Sequence, residues 1–204
     1  MRKSWVMGAA LALAMSAGSA EAGTLFYDNF DGENGGVGQL NYYGFANFTV
    51  SNANVGGAVD LIGNGYYDFY PGNGLYLDVC GSAGACGVLT TNATYGPGTY
   101  TVTLDLAGNA RIDGTDGTTI NFGNYSHTVY LSEFQTDDFT FTTTLTSASH
   151  LSIGDLGVFG ADIGNLLLSV EIGTVPEPGT LALLGAGLVG VAALRRRRKP
   201  GKAA

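Results

Sequence analysis

The chain has 204 residues, enough for one ordinary domain with segments to spare at both ends. Two of its nine Lys and Arg open the chain and six close it, so Arg111 stands alone between Gly23 and Thr174 against 15 acids, a formal charge of −14. Such a domain repels nucleic acid and anionic lipid, which excludes DNA and RNA as partners; it attracts divalent cations and resists self-association without them.

Arg2 and Lys3, the apolar stretch Trp5 to Met15 and the Ala20-Glu21-Ala22 site form the pattern of a secretory signal peptide over residues 1–22, cut after Ala22. The apolar stretch falls well short of the roughly 20 residues of a stable membrane span. Trp5 is the only tryptophan, so the mature domain must build its core from Tyr, Phe, Val, Leu and Ile.

Residues 23–174 read as one all-β domain. Short runs with period-two alternation occur at LFYDNF, FANFTVS, AVDLIG, LYLDV, GVLTT, YTVTLDLAG, TTINFG, HTVYLSEF, FTFTTTLTS, HLSIGDLG and NLLLSVEI. Gly, Asn, Asp and Pro separate them, as in PGNG at 71–74 and GPG at 96–98. About eleven strands at this spacing predict an antiparallel β-sandwich. In YTVTLDLAG, Tyr100, Val102, Leu104 and Leu106 should face the core and Thr101, Thr103 and Asp105 the solvent. In FTFTTTLTS the same rule turns Phe139, Phe141 and Leu145 inward and Thr140, Thr142, Thr144 and Thr146 outward.

Within this domain the first loop, DNFDGENGG, carries Asp28, Asp31 and Glu33. Hard oxygen ligands on a Gly-rich turn of an acidic protein suit Ca²⁺, although the spacing is not that of an EF-hand. Asp162 would join them if the first and last strands are neighbours. The alternative is an acidic, solvated turn. Further on, IGNGYYDFYPGNGLY sets Tyr66, Tyr67, Phe69, Tyr70 and Tyr76 among turn residues. Loop aromatics beside Asn and Asp can stack on sugars, which would make this a glycan-binding loop; equally, they can close the end of the sandwich. Cys80 and Cys86, in CGSAGAC, are expected to form a disulfide in the oxidising compartment a signal peptide implies. No further Cys pair or nearby His completes a metal set.

Catalytic residues are not evident. His127 shares a strand face with Val129 and Leu131, which suits a structural role, and no serine sits in G-x-S-x-G. Asp137 and Asp138 are adjacent on a strand, so alternation should send them to opposite faces and keep them from sharing a substrate.

After Gly173-Thr174-Val175, read as a linker, the chain ends in VPEPGTLALLGAGLVGVAALRRRRKP. Leu181 to Leu194 is apolar. As a helix it would cover about 21 Å against about 30 Å of hydrocarbon, a marginal span. Arg195, Arg196, Arg197 and Arg198 would hold the cytoplasmic side and stop transfer. Pro176 and Pro178 keep Glu177 in an extended, accessible segment. A short span, a basic stop and an exposed rigid peptide suit temporary tethering followed by cutting.

Residues 175–204, with Val175-Pro176-Glu177-Pro178, the apolar run and the Arg cluster in that order, resemble the PEP-CTERM sorting signal of Gram-negative bacteria. The resemblance implies recognition by an exosortase, an integral-membrane cysteine transpeptidase. It implies processing near Pro176-Glu177-Pro178, then transfer to the cell surface or release into the exopolysaccharide matrix. The domain ahead of it resembles the jelly-roll-like β-sandwiches that often precede this signal, through NYYGFANFTV, VDLIGNG, YPGNGLYLDV, PGTYTVTLDLAGN and GADIGNLLLSVEI. Relatives often close with an L-D-N-V-like strand; here Leu167-Leu168-Ser169-Val170 lacks the acid. The expected protein is thus a secreted, surface-sorted and non-catalytic exosortase substrate, tethered transiently to the inner membrane. A polysaccharide-binding module, with calcium as its cation, is the alternative.

Overall fold

The computed structural model describes residues 23–51, 57–82, 85–108, 117–155, 165–175, Gly185 and 187–191. The expected signal peptide, Asp162, Pro176, Glu177, Pro178 and the arginines at 195–198 lie outside the described residues. The strands are β1 (Thr24–Asp28), β2 (Gln39–Tyr42), β3 (Phe48–Ser51), β4 (Gly57–Gly63), β5 (Leu75–Asp78), β6 (Ala85–Cys86) and β7 (Val88–Thr91). They continue with β8 (Gly98–Ala107), β9 (Gly117–Phe122), β10 (Tyr125–Tyr130), β11 (Thr136–Leu145), β12 (Leu151–Asp155) and β13 (Leu166–Thr174). One 3₁₀ turn, Glu33–Gly36, breaks the sequence.

Each of the eleven runs expected from alternation holds a strand. The two not foreseen are β2 and β6. β6 has only two residues, and β2 is irregular, with Asn41 at φ 53°. The run HTVYLSEF ends its strand early, at Tyr130. The chain turns at Ser132–Gln135, where the Gln135 N–H donates to the Ser132 carbonyl (3.0 Å) and Phe134 has φ 56°.

One sheet runs β11-β8-β13-β5-β4-β2, with β1 also on β13 and β6 beside β4. The other runs β10-β9-β12-β7-β3. All pairings are antiparallel except β4 with β6. This is the expected all-β, antiparallel sandwich. Its core lies between the inner faces, where Val102, Leu104, Leu106, Val59, Leu61, Leu77, Ile120, Phe122, Ile153 and Ile172 are fully buried. The Thr partners on β8 and β11 face outward as alternation requires.

At one side the sandwich is closed by rings. Tyr125 of β10 stacks on Phe141 of β11 (centroids 3.8 Å, planes at 5°), and His127 stacks on Phe139 (5.2 Å, 3°).

The outer face of the larger sheet carries a second apolar cluster, which period two does not announce. Ile62, Tyr76, Ala107, Leu166 and Leu168 are buried there, under Leu40, Phe69 and Tyr70. The covering loop leaves β4 at Gly63 and returns at Gly74. Gly63 has φ 103°, and a Cβ there would collide with the Gly74 carbonyl, so the loop's neck needs glycine.

Cys80 and Cys86 form the expected disulfide. Two buried carboxylates fix that loop. Asp60 accepts from the Asn41 N–H (2.6 Å) and the Ser82 N–H (3.1 Å), and Asp78 accepts from the Cys80 N–H (2.9 Å).

Gly173 and Thr174 are not a linker. They belong to β13, paired with Thr101 and Tyr100 of β8, and the Val175 N–H still bonds to the Thr99 carbonyl (3.0 Å). A strand interior needs no more than extended backbone and a neighbour, which Gly and Thr beside a Pro-rich tail do not betray.

Candidate functional site

The acidic first turn has its carboxylates engaged with the chain itself. Asp28 accepts from the Phe30 N–H (2.8 Å) and from Asn47 Nδ2 (2.9 Å). Asp31 accepts from the Leu75 N–H (2.9 Å) and Asn29 Nδ2 (2.8 Å). Glu33, buried, accepts the Ala46 N–H on its two oxygens (3.0 and 3.2 Å). The three acids therefore reach to the loop before β3 and to the start of β5. Among the described residues no group of three or more His, Cys, Asp or Glu is placed to hold a metal. β1 and β13 are neighbours, as a fourth ligand would require.

The five loop aromatics divide. Tyr76 is fully buried. Its hydroxyl accepts the Phe69 and Tyr70 N–H groups (2.6 and 2.9 Å) and donates to Asp68 (3.1 Å). Burial pushes its pKa up to about 12. Phe69 packs on the outer cluster. Tyr66 and Tyr67 are exposed and meet edge to face (4.9 Å). Tyr70 is half-buried, and its hydroxyl donates to the Gly108 carbonyl (2.6 Å). Its pKa is raised by burial and by Glu133.

Tyr70 borders a cleft of about 510 Å³ on the outer face, shared with Asn73, Asp105, Thr136, Asp137, Asp138 and Leu168. Asp105 of β8 lies directly opposite Asp138 of β11. Burial, then the Asp138 charge, raises the Asp105 pKa. Asp137 also borders the cleft, although its register partner Leu106 lies on the inner face. Strand pairing, absent from sequence, is what adds Asp105. The Asp105 and Asp138 carboxylates and the Asn73 amide can accept hydrogen bonds from hydroxyl or ammonium groups beside the Tyr70 ring and Leu168; they repel anions.

The histidines serve the frame. His127 is stacked as described. His150 donates from Nδ1 to the Thr91 carbonyl (2.7 Å), leaving Nε2 to accept from Thr94 Oγ1 (3.2 Å).

The other candidate is the tail. It follows β13 with nothing between, and residues 174–198 match the family model of the PEP-CTERM protein-sorting motif. Residues 174–198 are a PEP-CTERM motif. Thr174 and Val175 are described at its start, and Gly185 and 187–191 further along it are helical. Leu188, Val189 and Val191 are exposed on that helix, at 64%, 70% and 51%. No helix among the described residues is long and apolar enough to cross a membrane. The PEP-CTERM motif implies an exported precursor processed by an exosortase.

No curated protein sequence matches the chain. Among solved structures it is similar to an exo-β-1,3-galactanase from Phanerochaete chrysosporium with galactose, at 18% identity over 62% of this chain and 29% of that one, with a TM-score of 0.36. It thus spans under a third of the galactanase's length. It is also similar to a family 35 carbohydrate-binding module from Clostridium thermocellum, at 13% identity over 73% of this chain and 98% of that one, with a TM-score of 0.35.

Proposed function

We propose that this chain is a non-catalytic exosortase substrate. It is exported and tethered by its short apolar segment. It is then cut near Pro176-Glu177-Pro178 and delivered to the cell surface or exopolysaccharide matrix as a structural or adhesive component. The observation that carries this reading is the PEP-CTERM motif at 174–198, joined directly to a β-sandwich. Intact-mass analysis of the secreted protein tests it. Mature material should begin at Gly23 and lack residues 195–204, and Glu177→Ala should leave full-length precursor in the membrane. Secreted protein that retains its arginines overturns the reading.

The acidic cleft favours a second reading, a module for a neutral or amine-bearing polysaccharide. Tyr70 and Asn73 border the cleft, while Tyr67 is exposed nearby on the same loop. On a glycan array, Tyr70→Ala should abolish binding and Tyr67→Ala should weaken it. Calcium should not be required. No binding to any glycan leaves the passive role standing.

A further inference from the structure

Every open sheet ends in strands whose outward N–H and C=O groups are unpaired, and soluble proteins blunt such edges with short strands, bulges, Pro, covering elements or charged side chains, Lys above all; β11 has such charges, Asp137 and Asp138, only at its first end. Apart from β11, the strands that pair on one side only among the described residues are short; β1 has five residues and β6 two. β3 has four residues and β10 six. β2 has four, with a register shift and Asn41 at φ 53°. β11 is different. It runs ten residues, pairs with β8 in ten consecutive registers without a bulge, and pairs with no other strand among the described residues. Its sequence, TDDFTFTTTL, contains no Lys, Arg, Pro or Gly and is dominated by Thr and Phe, which favour strands.

We propose that β11 is a self-assembly edge: two copies of this chain pair β11 to β11, antiparallel about an axis at Phe141, and extend the larger sheet across the contact. The strand is already held from within. Phe141 and Leu145 are buried, and Tyr125 and His127 stack on Phe141 and Phe139, so pairing orders little that is free. The charges select the orientation. Its two acids sit at one end of the strand. Parallel pairing would set Asp137 and Asp138 against their own copies. The antiparallel register about Phe141 sets Asp138 opposite the partner's Thr144 and Asp137 opposite the partner's Leu145. It also sets Thr140 opposite the partner's Thr142. This continues the cross-strand hydroxyl pairs that β11 already makes with β8: Thr144 with Thr99 (3.0 Å), Thr142 with Thr101 (3.2 Å) and Thr140 with Thr103 (3.0 Å). The domain's net charge opposes association, so pairing should strengthen as salt screens it. The inference stands apart from the sorting reading and from any glycan site.

The register gives a charge-swap test. The full chain is exported from a bacterial host, recovered and sedimented over a range of concentrations at low and high ionic strength. The wild type should dimerise with concentration, and more strongly at high salt. Thr140→Lys/Thr142→Lys puts Lys opposite Lys, and Thr140→Glu/Thr142→Glu puts Glu opposite Glu. Each should weaken dimerisation by about tenfold or more. Mixed in equal amounts, the two should form a heterodimer, which also shows that both are folded. A wild type that stays monomeric at high salt, a Lys variant that dimerises as the wild type does, or a mixture that stays monomeric overturns the proposal.

Discussion

Tyr76 holds its loop through one oxygen. Two backbone N–H groups, of Phe69 and Tyr70, converge on its hydroxyl, which passes its own proton to Asp68. Tyr76→Phe keeps the buried ring and strands both donors, so it should lower the unfolding free energy by about 2 kcal/mol in a denaturant titration. The strand run LYLDV sets Tyr76 apart from Tyr66 and Tyr67, but does not say which face of the sheet it takes or what covers it. All three are aromatics near glycines, and only the loop folding back over the outer face buries one of them. The acid pair is equally hidden. Asp105 and Asp138 are 33 positions apart and meet only because β8 and β11 pair. The raised pKa of Asp105 fixes the sign of its effect. The folded state holds that proton more tightly than the unfolded chain, so the cost of charging it, from burial first and the Asp138 charge second, is absent below the ordinary value of 3.8 and grows as pH rises through the raised one. Asp138→Asn should therefore stabilise the protein by about 0.5 kcal/mol at neutral pH and leave it unchanged at pH 3, measured by thermal unfolding at both.

At the scale of elements, alternation revealed which residues of β8 and β11 face the core, because each has an apolar inner face; in β13, where Leu166, Leu167 and Leu168 are all buried, it does not sort them. It could not reveal sheet order, since any two such strands can pair. Nor could it mark the end of β13. Gly173 and Thr174 carry no side chain that must be buried, yet they remain hydrogen-bonded into the sheet, and Val175 bonds to Thr99. Pro176 thus follows the last sheet bond at once. An enzyme that grips an extended Pro-Glu-Pro peptide must work against residues fixed in a strand. A flexible Gly-Ser insertion between Val175 and Pro176 should speed processing several-fold in a pulse-chase, whereas an insertion between Thr94 and Tyr95 should not. Equal rates for wild type and tail insertion would show that the enzyme works unhindered by the fold.

For the whole molecule, the decisive quantity is a domain charge of −14 with Arg111 as its one strong base. Like charges at this density destabilise the compact state, and salt relieves the strain. Two consequences separate a diffuse effect from a specific one. Sodium chloride should raise the melting temperature by a few degrees, about 1 kcal/mol in a domain of this size. Calcium at matched ionic strength should do no more, because the acids of the first turn already accept donors from Phe30, Ala46, Leu75, Asn29 and Asn47. Those bonds are part of how β1 is tied to the strands around it. Glu33→Gln should accordingly lower the melting temperature alike with calcium and with EDTA, since it removes the charge that holds Ala46. If calcium instead stabilises the wild type beyond its ionic strength and Glu33→Gln abolishes the excess, the turn is a cation site, and the tie between loop and strand is made through the ion.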